Sequence, residues 1–529
     1  MIKSASSCSK TRGTGSLLHK LLLPLFFSML LTIMVMPIAS QAQEMSGTYI
    51  IGPEGDYTTL TDALSDIREH KVDGEIILEV EPGIYEESLE IGWIQTSSFQ
   101  TANQGFTIRS TTGNAEDVIL RAGGFSTEFV VSIHANNSNF TFENFTIQST
   151  DFNTQGVVLD GRGHLFRGMI FIGSGISDAR HSSTLHIENC TFQGASIAFL
   201  GANRTPGLGD VHIIGNTFRN GSIAMNRLRG DYTISDNVIY ANRTGIHIQN
   251  APVNGKIFNN YVLVENELHG REGLFLHTVD SVLVYHNTLK TLRGNPLKVS
   301  GEANIHLNNN ILFATTDFVV DLEYPESVTS DHNGFYTSGD DVARVGEFRE
   351  WDVYETLTDF ISATGHDANS IFRDPRFDFD AEDDLERMMP GTTAFETAGM
   401  DLTEAVPEDM MGNPRPDTPS LGALEYTGTE TSTSEPAITA LPDQFSLSGT
   451  YPNPFNPSTT ISYELYEPTD IILTVFDAYG RRIATLVDER QAAGNHTSVF
   501  NATGLASGLY IYRLSSASHS LTGKMVLVK

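Results

Sequence analysis

The segment VHIIGNTF, at residues 211–218, alternates apolar and polar residues and then turns through Gly215 and Asn216 into a second short strand. Alternation at every second residue is typical of a β-strand with one buried face. Variants of this phrase recur at 140–147, 164–171, 185–192, 232–239, 255–262, 282–289, 305–312 and 328–335. The chain is therefore built from short repeats, which predicts a solenoid.

The second residue of each turn carries the clearest signal. It is apolar in the three earliest repeats (Phe145, Met169 and Cys190) and asparagine in the six that follow: Asn216, Asn237, Asn260, Asn287, Asn310 and Asn333. The apolar substitutes indicate that this position faces inward, so the six amides would stack as an internal hydrogen-bonded ladder. Asparagine also tolerates a left-handed backbone, which we expect at this same position. Cys190 is then a buried, unreactive thiol.

The turn positions recur at intervals of between 21 and 27 residues. This spacing predicts an all-β chain whose main part is a right-handed, single-stranded parallel β-helix with three short strands per coil. Near the start, Leu60, Leu64 and Ile67 recur at helical spacing. They predict a short amphipathic helix that caps the open end of the solenoid.

A second phrase falls between the turns and predicts another strand of each coil. It reads GIHI at 245–248, GLFL at 273–276 and PLKV at 296–299. Alternation places His247, Phe275 and Lys298 outward on three successive coils, and we assign Val319 to the next coil of this column. On the first phrase, the same argument makes His186 and His212 outward neighbours.

The N-terminal phrases GTYIIGPEGDYTTLTDALSDI (47–67) and EIILEVEPGIYEE (75–87) resemble the opening of pectin-esterase and pectate-lyase-like β-helices. The resemblance implies the fold and a first coil rather than an activity. The catalytic motifs typical of pectin esterases, polygalacturonases and pectate lyases have no full match in the sequence.

The chain is expected to divide into five parts: a signal peptide at 1–42, the β-helix with its cap at 43–336, an acidic end of the β-helix at 337–428, a linker at 429–440 and a tail domain at 441–529. Positive residues precede an apolar run at 21–38, and small residues precede a cleavage point after Ala42. This pattern indicates a signal peptide, with a membrane anchor as the alternative. No stable membrane span is expected in the mature chain.

The tail predicts a small antiparallel sandwich of Ig-like class, because four alternating strands follow one another between 460 and 514. Its phrases YPNPFNPSTTISYEL (451–465), VFDAYGRRIATLV (475–487) and KMVLVK (524–529) resemble the type A-like C-terminal sorting domain of type IX secretion substrates. The resemblance implies export to the outer-membrane surface or the medium, with the secretion machinery as a partner. A generic Ig-like adhesive module is the alternative.

Charge and cysteine content exclude several classes of protein. The 33 Lys and Arg against 65 Asp and Glu give a formal net charge of −32. An acidic surface repels phosphate backbones, so nucleic acid is not an expected partner. Two cysteines in 529 residues exclude a disulfide scaffold. We expect a monomer.

The outward columns supply the candidate site residues. His247 or Lys298 would serve as a catalytic base, while Phe275, Arg271, His186 and His212 would contact a sugar chain. No cofactor is certain and no metal site is assigned, but calcium is a candidate. Glu265, Glu267 and Glu272 would hold it, or the acidic turn Asp378–Asp384. The alternative is that all of these are ordinary polar residues on a solvated sheet.

The sequence therefore predicts a secreted or cell-surface β-helix protein that engages extracellular polysaccharide, because long solenoid faces suit extended polymers. One alternative is a calcium-assisted polysaccharide lyase or a glycosidase acting on uronate-rich glycans. Another is a non-catalytic adhesin or structural surface protein.

Overall fold

The computed structural model describes residues 44–425 and 445–528, apart from 93–104, 125–126, 135–138, 152, 162, 183, 200–208, 266–270, 348–349, 378–387, 392, 454, 466–467, 478–481, 506–507 and 517–519. The predicted signal peptide, linker and Asp378–Asp384 turn lie outside the described residues. The chain divides into two compact units, Met1–Thr427 and Gly428–Lys529.

The first unit is a coiled chain of short strands. Numbered along the sequence, they are β1 Glu44–Ile51, β2 Lys71–Val80, β3 Gly83–Glu86, β4 Leu89–Ile91, β5 Phe106–Ser110, β6 Val118–Ala122, β7 Phe129–Ile133, β8 Phe140–Glu143, β9 Thr146–Ser149, β10 Gln155–Gly161, β11 His164–Arg167, β12 Ile170–Ile172, β13 Ile176–Ser182, β14 Leu185–Glu188, β15 Thr191–Gln193, β16 Ile197–Phe199, β17 Val211–Ile214, β18 Thr217–Arg219, β19 Ile223–Asn226, β20 Tyr232–Ser235, β21 Val238–Ala241, β22 Ile246–Ala251, β23 Gly255–Phe258, β24 Tyr261–Val264, β25 Leu274–Val279, β26 Ser281–Tyr285, β27 Thr288–Thr291, β28 Leu297–Ser300, β29 Asn304–Asn308, β30 Ile311–Ala314, β31 Val320–Leu322, β32 Val328–Asp331, β33 Gly334–Thr337, β34 Ala343–Glu347, β35 Glu350–Tyr354 and β36 Ile371–Phe372.

These strands form three sheets of twelve strands each. The first sheet runs β1-β2-β5 and then every third strand to β32, the second runs from β3 to β36, and the third runs from β4 to β34 and ends on β35. Neighbouring strands pair in parallel, and only the last pair of the third sheet, β34 with β35, is antiparallel. The all-β fold predicted from the sequence, a parallel β-helix, is confirmed.

Inward side chains stack from coil to coil and form the core. Phe142 lies on Phe166 with ring centroids 5.0 Å apart. Phe192 lies on Phe218 at 4.4 Å, with the rings within 7° of parallel. Because parallel pairing keeps strands in register, each inward column is buried as one continuous stack.

The six turn asparagines are fully buried and hydrogen bonded to one another. Each Nδ2 donates to the Oδ1 of the next coil, at 2.9 or 3.0 Å. The backbone N–H of Cys190 donates to Asn216 Oδ1 at 2.9 Å, and Asn333 Nδ2 donates to Asp367 Oδ1 at 3.1 Å at the far end. These bonds satisfy polar groups that would otherwise be orphaned in the core.

In each turn, the residue with a left-handed backbone is the first of the two turn residues. The prediction that the second turn residue would be left-handed was wrong. Positive φ angles of 54° to 60° occur at Asn189, Asp236, Asn259, His286 and Asn309. The ladder position that follows keeps a negative φ, because its side chain must point into the core.

Two helices lie at the ends of the solenoid. Helix α1, Leu60–Glu69, packs against β1, β2 and β4 and buries Leu60, Leu64 and Ile67, as the helical spacing predicted. The side chain of Thr59 caps it by accepting from the backbone N–H of Asp62 at 3.1 Å. Helix α2, Leu357–Thr364, buries Leu357 and Phe360 near the last coils.

Residues 388–425, here the C-terminal strap, pack on the outer face of the second sheet over its later coils. Met388 and Leu424 of the strap pack with Tyr240, Tyr261 and Leu263. Further along, its Phe395 and Leu421 pack with Ile311, Phe313 and Phe377. The early part of this sheet is open, since Ile84 on β3 is 56% exposed.

The second unit is a small antiparallel sandwich, as predicted. Its strands are β37 Phe445–Tyr451, β38 Ser458–Leu465, β39 Thr469–Asp477, β40 Arg482–Gln491, β41 Gly494–Asn501, β42 Gly508–Ser515 and β43 Ser520–Leu527. The sheets are β37-β38-β41 and β40-β39-β42-β43. Leu473, Phe500 and Leu514 contribute to the core between them. Within the described part of the chain, no helix has the length and apolar character needed to cross a membrane.

Candidate functional site: an exposed row on the third sheet

The third sheet carries an in-register row of outward side chains. His247 on β22 pairs with Phe275 on β25, which pairs with Lys298 on β28. The row continues to Asp321 on β31 and Arg344 on β34. The assignment of Val319 to this column was wrong, because Val319 is fully buried before the strand begins. The apolar run Phe318–Val320 carries no alternation that would mark which residue points outward.

The first part of the row is a stack of flat groups. The rings of His247 and Phe275 lie 4.6 Å apart and within 15° of parallel. The Nζ atom of Lys298 lies 5.3 Å from the centroid of the Phe275 ring. His247 and Lys298 therefore cover the two faces of the Phe275 ring, and the side chain remains partly exposed.

Asp321 connects the second part of the row. Arg344 donates from Nε to Oδ1 at 3.0 Å and from Nη2 to Oδ2 at 2.6 Å. Lys298 Nζ lies 3.7 Å from Oδ2, and Asn295 Nδ2 donates to the same oxygen at 3.2 Å. The Asp321 side chain is only 3% exposed, so this carboxylate is desolvated and fully engaged.

The indole of Trp351, on β35, ends the row. The guanidinium carbon of Arg344 lies 4.4 Å from its ring centroid. Trp351 is 37% exposed, which is unusual for so large an apolar side chain. The antiparallel pairing of β35 with β34 brings Trp351 beside the row although it belongs to no repeat.

These side chains border a cleft of about 390 Å³. Its lining combines ring faces with hydroxyl, amide and charged groups, and consists of Gln249, Phe275, His277, Lys298, Val299, Ser300, Asp321, Glu323 and Trp351. Within it, His277 Nδ1 and Ser300 Oγ are hydrogen bonded at 2.8 Å. Mixed aromatic and polar linings of this kind are typical of ligand sites.

Burial lowers the pKa of the His247 imidazole, while Glu272 opposes and His277 adds to this effect. Its Nε2 is buried with no hydrogen-bond partner among the described residues. This nitrogen is therefore out of reach of a ligand in the cleft, and the exposed ring partner of the pair is Phe275.

The remaining predicted residues lie apart from the cleft. His186 and His212 stack on each other at 4.5 Å, but they belong to β14 and β17 of the first sheet. Burial and the neighbouring His186 lower the pKa of His212. Arg271 precedes β25 and is not among the cleft-lining residues. The structure thus brings Phe275 and Lys298 together, with His247 behind Phe275.

The residues proposed for calcium do not converge in the described structure. Glu272 is 8% exposed and accepts a hydrogen bond from Thr244 at 2.7 Å. Glu267 and the Asp378–Asp384 turn lie outside the described residues. Over the described ranges, no group of three or more His, Cys, Asp and Glu side chains is arranged to hold a metal ion.

Asp321, Arg344, Trp351 and His277 were missed by reasoning from the sequence. Asp321 follows Lys298 by 23 residues and Arg344 follows Asp321 by the same interval. That constant interval is the signal that could have identified both residues. Trp351 lies beyond the last repeat of the phrase, so no interval pointed to it.

The fold and the tail define a class: an exported parallel β-helix protein with a carboxy-terminal sandwich. Residues 449–529 match the family model of the secretion system C-terminal sorting domain. This match confirms the resemblance found in the sequence. A tail of this family implies export and contact with a secretion machinery. No curated protein matches the chain.

Two solved structures are similar in part. One is pectin methylesterase from Aspergillus niger in a penultimately deglycosylated form, with 13% identity, 49% of this chain and 85% of that chain covered, and a TM-score of 0.23. The other is the same enzyme in its deglycosylated form, with 12% identity, 58% and 76% covered, and a TM-score of 0.19. Similarity at this level says nothing about activity or substrate.

Proposed function

We propose that this protein is a secreted or cell-surface polysaccharide-binding β-helix whose binding face is the outward row of the third sheet. The observation that carries the proposal is the row itself. Phe275 and Trp351 are partly exposed aromatic side chains at either end of Lys298, Asp321 and Arg344, beside a cleft of about 390 Å³.

The chemistry of the row suits a sugar chain. The exposed part of an aromatic ring makes apolar contact with the C–H groups of a sugar, and the surrounding amide, hydroxyl and charged groups hydrogen bond its hydroxyls. Gln249, His277 and Ser300 supply such groups within the cleft. The two rings are already held by stacking and by their contacts with Lys298 and Arg344, so little side-chain freedom is lost on binding.

The geometry favours binding over catalysis by His247 and Lys298. The two side chains lie two coil steps apart with Phe275 between them, which is roughly 10 Å at about 4.8 Å per step. They cannot act on one reacting atom across that distance. Lys298 is also ion paired with Asp321, and His247 Nε2 is buried.

Retention of the purified protein on a broad panel of immobilised glycans tests the proposal. We expect retention without turnover, weakened at least tenfold by Phe275→Ala and by Lys298→Ala. Lys256→Ala is the matched control, since Lys256 is an exposed lysine on β23 of the first sheet. Equal retention of all variants, or no retention on any glycan, contradicts the proposal.

The same panel separates binding from the lyase and glycosidase alternatives. Elimination creates an unsaturated product that absorbs in the ultraviolet, and hydrolysis creates new reducing ends. Either product, abolished by His247→Ala or Lys298→Ala, would replace the binding proposal with an enzymatic one.

A further inference from the structure

We propose that the third-sheet cleft takes a chain of neutral sugars rather than a polyuronate, an inference that rests on the binding function proposed above. A polyanion needs cations that are free to pair with it. The described cleft provides none, because each positive group near it is already paired with a carboxylate.

Lys298 is the one lysine or arginine among the described lining residues. Its Nζ lies 3.7 Å from Asp321 Oδ2, and Arg344 binds both oxygens of the same carboxylate. Glu323 adds a second negative charge to the lining, where its Oε2 accepts from the backbone N–H of Gly301 at 2.7 Å. Two cations against two carboxylates leave no positive surplus at the cleft.

The rest of the chain adds a repulsive field. With a formal net charge of −32, the protein disfavours the approach of any polyanion. To bind a polyanion, the cleft would need a local excess of positive charge that outweighs this repulsion. In the described cleft the positive and negative charges are equal in number. A neutral glycan meets neither the repulsion nor the cost of breaking the Asp321 ion pairs.

The same ion pairs position the two rings. Asp321 holds Lys298 beside Phe275 and Arg344 beside Trp351, which makes it a positioning residue. Phe275 and Arg344 are three coil steps apart, roughly 14 Å at about 4.8 Å per step. That separation exceeds one sugar ring, and Trp351 lies on β35, the next strand beyond Arg344 in the sheet. A ligand that contacts both Phe275 and Trp351 is therefore a chain lying along the axis of the β-helix.

The test compares neutral glycans (xylan, laminarin and galactomannan) with polygalacturonate and alginate, at about 0.05 M and 0.5 M salt. We expect a neutral glycan to be retained equally at both salt concentrations and the polyuronates to be excluded. Retention of polyuronates alone, lost at high salt, overturns this inference but leaves the binding function standing. Retention of neither class removes the binding function itself.

Asp321→Asn provides the second arm, because it keeps the shape of the side chain and frees both cations. We expect this variant to gain polygalacturonate binding at low salt by at least tenfold, and Lys298→Ala in the same background to remove the gain. Glu79→Gln is the matched control, since it deletes one negative charge and frees Arg109 on the first sheet, away from the cleft. A gain in the control equal to that in Asp321→Asn contradicts the inference.

Discussion

Replacing Asn260 by alanine should destabilise the β-helix by at least about 3 kcal/mol, a loss that can be worked out bond by bond. The Oδ1 atom of Asn260 accepts from the backbone N–H of Asn237 at 3.2 Å and from Asn237 Nδ2 at 2.9 Å. Its Nδ2 donates to the carbonyls of Ile234 and Phe258 and to Asn287 Oδ1, at 2.8, 3.0 and 2.9 Å.

The largest single cost is the orphaned backbone N–H of Asn237. Its side-chain amide still donates to the carbonyl of Ile213 at 2.9 Å, but the backbone group loses its acceptor inside the core. A buried unsatisfied donor costs about 1–3 kcal/mol, and each of the other bonds contributes roughly 0.5–1.5 kcal/mol. Asn260→Leu fills the space but leaves the same orphan, so it should be destabilised to a similar degree.

Equilibrium unfolding in urea, followed by circular dichroism, measures the change. Asn254→Ala is the control in the same coil, because Asn254 is exposed and its side chain donates to Asp231 Oδ1 at 3.2 Å. It should change the free energy of unfolding by less than about 0.5 kcal/mol. If Asn260→Ala were as mild as the control, the ladder would not contribute to stability and the reasoning would fail.

Three further substitutions test other parts of the core. Burial lowers the pKa of His164 from 6.5 to about 4. The contribution of the neutral His164 to the free energy of unfolding is therefore complete above pH 6.5 and falls by roughly 3 kcal/mol as the pH drops to 4. The free energy of unfolding of His164→Leu should lack this pH dependence. In Gly255→Ala the new Cβ would lie 2.2 Å from the buried Tyr232 ring, and calorimetry should show a loss of about 1–3 kcal/mol. Arg415→Met leaves the buried Glu425 unpaired and should cost about 3–5 kcal/mol in urea, part of which Glu425→Gln in the same background restores; an additive double variant would refute the coupling.

Much of the fold could be predicted because the coil repeats itself. The inward asparagines, the capping helix and the tail sandwich each left a local pattern, and the structure shows each of these elements. The strap left no such pattern. Its contacts join residues far apart in the chain, as when Asn259 donates to the carbonyl of Glu408 at 2.8 Å. Contacts between residues so far apart in the chain leave no periodic pattern from which they could be predicted.

The candidate site was predictable only in part, for the same physical reason. Alternation placed His247, Phe275 and Lys298 in one outward column, because period and register are properties of the repeat. Asp321 and Arg344 continue the column at the same 23-residue interval, although the apolar run before Asp321 hides the alternation. Trp351 lies on β35, where the chain reverses direction, so only the three-dimensional structure connects it to Arg344.

The most direct test of the binding account is a crystal structure of the protein with the oligosaccharide that the glycan panel selects. The account predicts sugar rings in contact with the exposed parts of Phe275 and Trp351, with the sugar chain running along the axis of the β-helix. Sugar bound instead at His186 and His212 on the first sheet, with the third-sheet cleft empty, would contradict it.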